Sequence, residues 1–351
     1  MKEWPDRIPL LNIYYMMAYA WEAVDLVEFR DVAAERFTNA ADLMAAILVQ
    51  GIATQLGRGL YREYEPRTET LDTIRGKVDV WRTKTPPASL SGRAICTYEE
   101  FTEDTELNRI LKATCLRLAA SPAVNPSRQR QLRNLLVPLS NVSDLDPRQI
   151  RWKSLTFHRD NRFYCFLMGV CYMALNDMVL SSTDGPVPAG SFRDSQAPNQ
   201  LYERFLLNYF RRHHPGLHPS SAEVGASRAD LPDFVPALLT DVTLSNGSQT
   251  LIVDAKCYGH VFSSHYEHRI VAPANINQIF HYVLAAADER PGQRVSGMLL
   301  YAKTADEDIE SGAWVEHGHS FEVKLLDLNQ RFDRIAADLD EIAETYLTSN
   351  R

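Results

Sequence analysis

The chain has 351 residues, a formal net charge of -8, 45% hydrophobic residues and 23% charged ones. That length is more than a lone binding module needs and suits one large core or two ordinary domains, and the apolar content excludes a disordered chain. The acidic balance argues against strong unaided binding to a duplex, because such binding comes largely from Lys and Arg neutralising phosphates.

In chain order, Met1 to Pro9 carries no apolar signal region, and a cytoplasmic location with no membrane association is expected. Leu10 to Trp21 is an aromatic and Met-rich segment that reads as core rather than interface. Asn39 is placed to cap a helix over Leu43, Ile47 and Ile52 to about Gly57. Strand-like pieces follow at Tyr61 to Tyr64 and at Gly76 to Trp81, where Val78 and Val80 alternate with polar neighbours. From Asp104 the spacing of Leu107, Ile110, Leu111, Thr114 and Leu118 predicts a helix, with two more around Gln129 to Leu136 and Arg162 to Leu180. The apolar run from Phe163 to Leu180 is interrupted by Asn176 and Asp177 and is too short to span a bilayer.

Ser181 to Asn199 is the richest Gly/Pro/Ser stretch and reads as a linker, dividing the chain into domains 1–185 and 199–351. Beyond it the pattern predicts a helix (Leu201 to Arg212), strands Asp241 to Leu244 and Leu251 to Lys256, and a helix from Asn275 to Ala287. Strands Val295 to Tyr301 and Glu322 to Leu326 and a terminal helix complete it. The fold class is therefore α+β/mixed, with an N-terminal mixed β and helical domain before a small sheet flanked by helices. The five cysteines are scattered with no CxxC pair, which supports neither a disulfide framework nor a cysteine zinc site.

The most informative segment runs from Asp241 to Lys256. Asn246-Gly247 between two alternating apolar runs signals a hairpin, and with those two residues as its loop, or four in the same register, Val242 pairs with Leu251 and Asp241 with Ile252. Strand alternation then puts Asp241, Ile252, Asp254 and Lys256 on one face, with Asp241 and Asp254 diagonal neighbours roughly 7–8 Å apart along the backbone. Val242, Leu244, Leu251, Val253 and Ala255 fall on the other face. Two converging carboxylates suit Mg2+ or Mn2+, which takes hard oxygen ligands and keeps positions for water and a phosphate oxygen. A lysine beside the metal orients the attacking water and stabilises developing charge. An isolated Asp-x-Lys is more often a solvated face; the hairpin register makes the difference.

Supporting residues flank this set. On the helix after Asn275, Ile276, Ile279, Phe280, Val283 and Leu284 form one arc, leaving Gln278 and Tyr282 on a separate edge that can face the site. Glu203 lies among Leu206, Leu207 and Phe210, a setting in which a carboxylate needs a partner: metal, water, or an ion pair with Arg204 or Arg211. His260, His265 and His268, or His317 and His319, are the rival metal ligands, but their spacing fits no standard zinc pattern.

Together these motifs resemble the PD-(D/E)xK nuclease superfamily, and within it the nuclease subunits of McrBC 5-methylcytosine-dependent restriction systems. The resemblance rests on Asn12 to Trp21, Ile74-Arg-Gly-Lys-Val78, Glu103 to Lys112, Thr240-Asp241, Ile252 to Lys256 and Asn275-x-x-Gln278-x-x-x-Tyr282. It implies a PD-(D/E)xK α/β domain with catalytic Asp241, Asp254 and Lys256, helped by Gln278, Tyr282 and Glu203, and with Mg2+ (or Mn2+) held by Asp241 and Asp254. Thr240 stands where the motif usually has proline. The resemblance further implies docking through the N-terminal half onto a hexameric AAA+ GTPase, McrB, whose GTP hydrolysis it stimulates, and cleavage of double-stranded DNA containing modified cytosine. The chain has no G-x-x-x-x-G-K-[ST] loop, so GTP enters only through that partner. The alternatives are a stand-alone RecB-like repair nuclease and a non-catalytic GTPase-activating adaptor.

Overall fold

A computed structural model describes residues 8–26, 37, 39–84, 92–158, 161–180, 197–225, 238–257, 262–265, 268–303 and 311–348. The chain forms two compact units, Met44–Leu175 and a discontinuous one made of Met1–Leu43 with Asn176–Arg351.

In the first unit, helix α2 (Ala40–Arg58; α1 belongs to the other unit) is followed by strands β1 (Glu63–Leu71) and β2 (Lys77–Val78) and by the short helix α3 (Val80–Lys84). Strand β3 (Ala94–Thr102) and helices α4 (Glu106–Ala120), α5 (Pro126–Leu136) and α6 (Arg162–Leu180) complete it. Asn39 does cap α2, its Oδ1 accepting the Asp42 N–H at 3.0 Å. By length and composition α2 could cross a membrane, yet most of it is buried.

The small sheet has the order β1-β3-β2 and is antiparallel throughout. β3 was not anticipated, because only Cys96 and Tyr98 bury fully along it and the alternation is faint. The strand expected at Gly76 to Trp81 stops at Val78, where the Asp79 carboxylate accepts the Arg82 N–H and starts a helical turn instead. Gly76 has φ +66, and a Cβ there would fall 2.5 Å from the Thr97 carbonyl, so this crossing requires glycine.

After β3, Thr105 caps α4, which buries Leu107, Ile110, Leu111 and Leu118. Asp104, just before the cap, receives Arg109 Nε at 2.7 Å and both the backbone N–H and the hydroxyl of Ser143. Burial alone would raise this carboxyl, but those donors more than offset it and hold the group well below the usual carboxylate range.

The second unit holds α1 (Leu10–Ala20), α7 (Ala197–His213), β4 (Glu223–Val224), β5 (Leu238–Leu239), β6 (Val242–Ser245), β7 (Gln249–Lys256), β8 (Phe262–His265) and β9 (His268–Val271). Then come α8 (Pro273–Glu289), β10 (Arg294–Lys303), β11 (Gly312–Glu316), β12 (His319–Asp327) and α9 (Phe332–Thr348). Five strands form a mixed sheet in the order β11-β12-β10-β7-β6. β10 runs parallel to both β7 and β12, while β6 and β11 are antiparallel edges. The minor pairs β4-β5 and β8-β9, and β11 itself, were not expected.

Helix α8 covers one face through Ile279, Tyr282 and Val283, which pack with Ile252, Val295, Leu299 and Phe321. It lies so close that a Cβ on Gly297 would come within 2.8 Å of both Ile279 and Val283. β7 is buried along almost its whole length and is touched by α7, α8 and α9.

The N-terminal helix departs from the expected grouping of residues 1–185. α1 is core, as its composition implied, but it packs along α7. Asn12 Nδ2 donates to the carbonyls of Leu328 and Gln330 at 2.8 and 2.7 Å, and Asn208 Nδ2 donates to those of Tyr19 and Ala20. Of the expected linker, 181–196 lie outside the described residues, and Ala197 to Asn199 already open α7.

Candidate active site

The hairpin that carries the two aspartates is real, but its register differs from the expected one by two residues. Ser245 pairs with Thr250 and Val242 with Val253, leaving Asn246 to Gln249 as a four-residue loop. The Asn246 side-chain carbonyl accepts the N–H groups of Ser248 and Gln249, and Gly247 takes φ +89. The side chain of Asn246 thereby replaces the two-residue turn with a wider one. Because the shift is even, no side chain changes face. Its effect is to bring Asp241 level with Asp254, one step beyond the last ladder pair, instead of on the diagonal.

Where the ladder ends, Asp241 takes over from the backbone: its Oδ2 accepts the Ala255 N–H at 2.8 Å. Thr240 suits its place before Asp241, since its N–H donates to the Ala222 carbonyl, which a proline could not do, and its hydroxyl bonds Ala222 and Thr243.

Asp254 is fully buried. Its Oδ1 accepts Lys256 Nζ at 2.8 Å, whereas its Oδ2 is buried with no hydrogen-bond partner. Lys256 Nζ also donates to Gln278 Oε1 at 3.2 Å, and Gln278 Nε2 donates to Tyr282 Oη at 2.8 Å. A polar chain thus runs from Tyr282 on α8 through Gln278 and Lys256 to Asp254 on β7.

Glu203, on α7, joins electrostatically. Burial is the main reason its carboxyl rises to about 7, with the Asp241 charge adding to the rise, Lys256 opposing it and Asp254 adding further. Burial likewise raises Asp241 and Asp254 against the pull of Lys256, and the Asp241 charge pushes Asp254 up further. Three carboxylates around one ammonium leave the centre short of positive charge, and Asp254 Oδ2 is an acceptor without a donor.

Both features fit a divalent cation. Among the described residues no three His, Cys, Asp or Glu side chains group closely enough to enclose one.

All six residues singled out in the sequence therefore meet in one region. Missed among the described residues is Asn199, which bonds both Glu203 and the Cys257 backbone. It was read as linker, and the only signal for it was the Asn-x-x-x-Glu spacing on one helix face. Of the rival histidines, His260 lies outside the described residues, and His265 and His268 pair across the β8-β9 hairpin. His317 sits edge-on to Phe280, and the His319 ring bonds the Val295 carbonyl.

Residues 12–302 match the family described as McrBC 5-methylcytosine restriction system component, a span that includes every candidate site residue. The chain belongs to this family. It is 26% identical over 345 residues to the type IV methyl-directed restriction enzyme EcoKMcrBC of Escherichia coli, covering 97% of this chain and 98% of that relative. Among solved structures it is similar to a chain from an assembly of Thermococcus gammatolerans McrB AAA+ hexamers with bound McrC. That likeness has 15% identity and a TM-score of 0.49, and covers 95% of this chain and 76% of the other. A chain of the Thermococcus gammatolerans McrBC complex matches at 17% identity and a TM-score of 0.37, covering 51% of this chain and 60% of that one.

Proposed function

We propose that this McrBC family member is the Mg2+-dependent endonuclease subunit of a type IV restriction complex, cutting modified-cytosine DNA when docked on an AAA+ GTPase whose hydrolysis it stimulates. The observation that carries the chemistry is the buried, unpartnered Oδ2 of Asp254, level with Asp241 and beside Lys256. In this reading the sheet and α8 form a PD-(D/E)xK domain, and the protein works in the cytoplasm.

Asp241 and Asp254 would hold the cation, which when bound supplies Lewis-acid polarisation of a phosphodiester and a more acidic coordinated water. Asp241 keeps its geometry through the Ala255 N–H. Lys256 is aimed by two acceptors, Asp254 Oδ1 and Gln278 Oε1, and stabilises charge developing on the attacked phosphate. Tyr282 fixes the Gln278 amide so that its oxygen faces Lys256. The -8 net charge is accommodated by leaving the grip on DNA to the partner.

The test reconstitutes the chain with an McrB-type AAA+ GTPase and measures cleavage of DNA bearing methylated cytosine, with GTP and Mg2+ present or withheld. Cleavage should need all components and vanish in Asp254→Asn while complex formation and GTPase stimulation persist. Cleavage by the chain alone would instead favour a stand-alone repair nuclease. Intact cleavage by Asp254→Asn would overturn the site.

A further inference from the structure

The end of β7 is where the catalytic face must be held still, and the backbone ladder no longer holds it there. The β7-β10 pairing finishes at Lys256 opposite Tyr301, so the next N–H, that of the buried Cys257, lies beyond the ladder. Asn199 takes it: its Oδ1 accepts the Cys257 N–H at 2.8 Å. The other half of the same amide, Nδ2, donates to Glu203 Oε1 at 2.6 Å, one turn along α7.

We infer that Asn199 is a positioning residue of the active site, holding the Glu203 carboxylate toward the Asp241–Asp254–Lys256 centre while pinning the strand end that carries Asp254 and Lys256. The inference rests on the nuclease reading above. Only a carboxamide performs both tasks, because it offers an acceptor and a donor a little over 2 Å apart in one rigid plane. Aspartate would keep the bond to Cys257 but set a second carboxylate against Glu203, and alanine would lose both links.

Among the described residues, the hydrogen-bond donor to Glu203 is the Asn199 amide. Its orientation toward the centre therefore depends on the side chain of Asn199. Partners of this kind, which orient groups around a metal, typically change metal affinity or activity 10- to 100-fold when removed.

The experiment compares the full-length wild-type chain with Asn199→Ala, Glu203→Ala and the double variant. Mn2+ binding is followed by titration calorimetry, and single-turnover cleavage is measured in the reconstituted complex. Asn199→Ala should weaken Mn2+ binding and slow cleavage by about tenfold. Glu203→Ala should do at least as much, and the double variant should lose less than the product of the two single losses, because the part of the Asn199 effect that runs through Glu203 is already gone. Losses that multiply in the double variant would overturn the inference. So would an Asn199→Ala chain that melts lower but binds Mn2+ and cuts normally, the behaviour of a mere strand anchor. A wild-type chain that binds Mn2+ yet cuts no DNA would strike only the nuclease reading, and the calorimetric comparison would still decide the role of Asn199.

Discussion

Replacing Asp254 with asparagine should raise the stability of the metal-free protein while abolishing cleavage. The substitution is nearly isosteric, and the amide oxygen can still accept from Lys256 Nζ, as Oδ1 does now at 2.8 Å. Lys256 keeps Asp241 and Glu203 as opposing charges, so no ammonium is stranded. What disappears is a fully buried carboxylate whose Oδ2 has no donor and whose charge meets that of Asp241.

Each unit by which a folded-state pKa exceeds its unfolded value costs about 1.4 kcal/mol once the group is ionised. The pull of Lys256 is already part of that balance, and discounting for the coupling to Asp241 leaves a net gain of about 1–3 kcal/mol. At roughly 2–4 °C per kcal/mol for a domain of this size, Tm should rise by about 2–12 °C in EDTA at pH 8. The sign follows from linkage. A carboxyl with a raised folded pKa binds its proton more tightly folded than unfolded, so wild-type stability falls as pH rises from about 4 past the folded pKa. The advantage of the variant should therefore shrink toward pH 5, where Asp254 is protonated in the folded chain. Added Mg2+ should raise the wild-type Tm at pH 8 and leave that of the variant unchanged. A variant that melts several degrees lower in EDTA at pH 8 would refute this reasoning and make Asp254 a structural partner of Lys256.

Lys256→Ala should lower the single-turnover cleavage rate at least a hundredfold while changing DNA affinity less than threefold, because its ammonium matters chiefly in the transition state; affinity loss at an unchanged rate would make it a phosphate anchor. Gln278→Ala should slow cleavage by about tenfold, since Lys256 Nζ loses one of the two acceptors that aim it, and Tyr282→Phe should slow it less. Asp104→Asn should destabilise the Met44–Leu175 unit by about 2–4 kcal/mol at pH 7, measured by urea denaturation, because a buried carboxylate with charged and neutral donors is lost. With its folded pKa depressed, that contribution is present above the unfolded value near 4 and is lost as pH falls further, so wild type and variant should converge in acid.

The long helices were legible because their signals are local. Asn39 marks one N-terminus by its capping side chain, and the apolar spacing from Leu107 to Leu118 marks the buried face of another helix. The face of the candidate site was legible because parity survives a register error of two: Asp241, Asp254 and Lys256 share a side whether Val242 meets Leu251 or Val253. What was not legible depended on contacts remote in sequence. Nothing near Gly312 announces an edge strand, since β11 is almost wholly exposed along its length and is defined by its pairing with β12. Asn199 looked like linker because its two partners, four and fifty-eight residues away, exist only once α7 and β7 lie side by side.

Segmentation met a different limit. A Gly/Pro/Ser-rich stretch shows where a chain is free of regular structure, but not which flanking pieces bury each other's surface. Ile13, Met16 and Met17 on α1 are almost completely buried, and α1 packs along α7, which begins where the expected linker ends. The Asn208 amide of α7 fastens the pairing to the Tyr19 and Ala20 carbonyls, and the Asn12 amide ties the other end of α1 to the Leu328 and Gln330 carbonyls. Breaking the chain near residue 190 would therefore not release a self-sufficient N-terminal domain; it would strip α1 from the helix that covers it and expose its apolar side chains to water. The same pairing gives the candidate active site a foundation beyond its own strands, because α7 carries Asn199 and Glu203 at its start and is braced by α1 further along, at Asn208. A site built from one helix turn and one strand end holds its geometry only if that helix cannot roll, and the N-terminal helix supplies this constraint from the far end of the sequence.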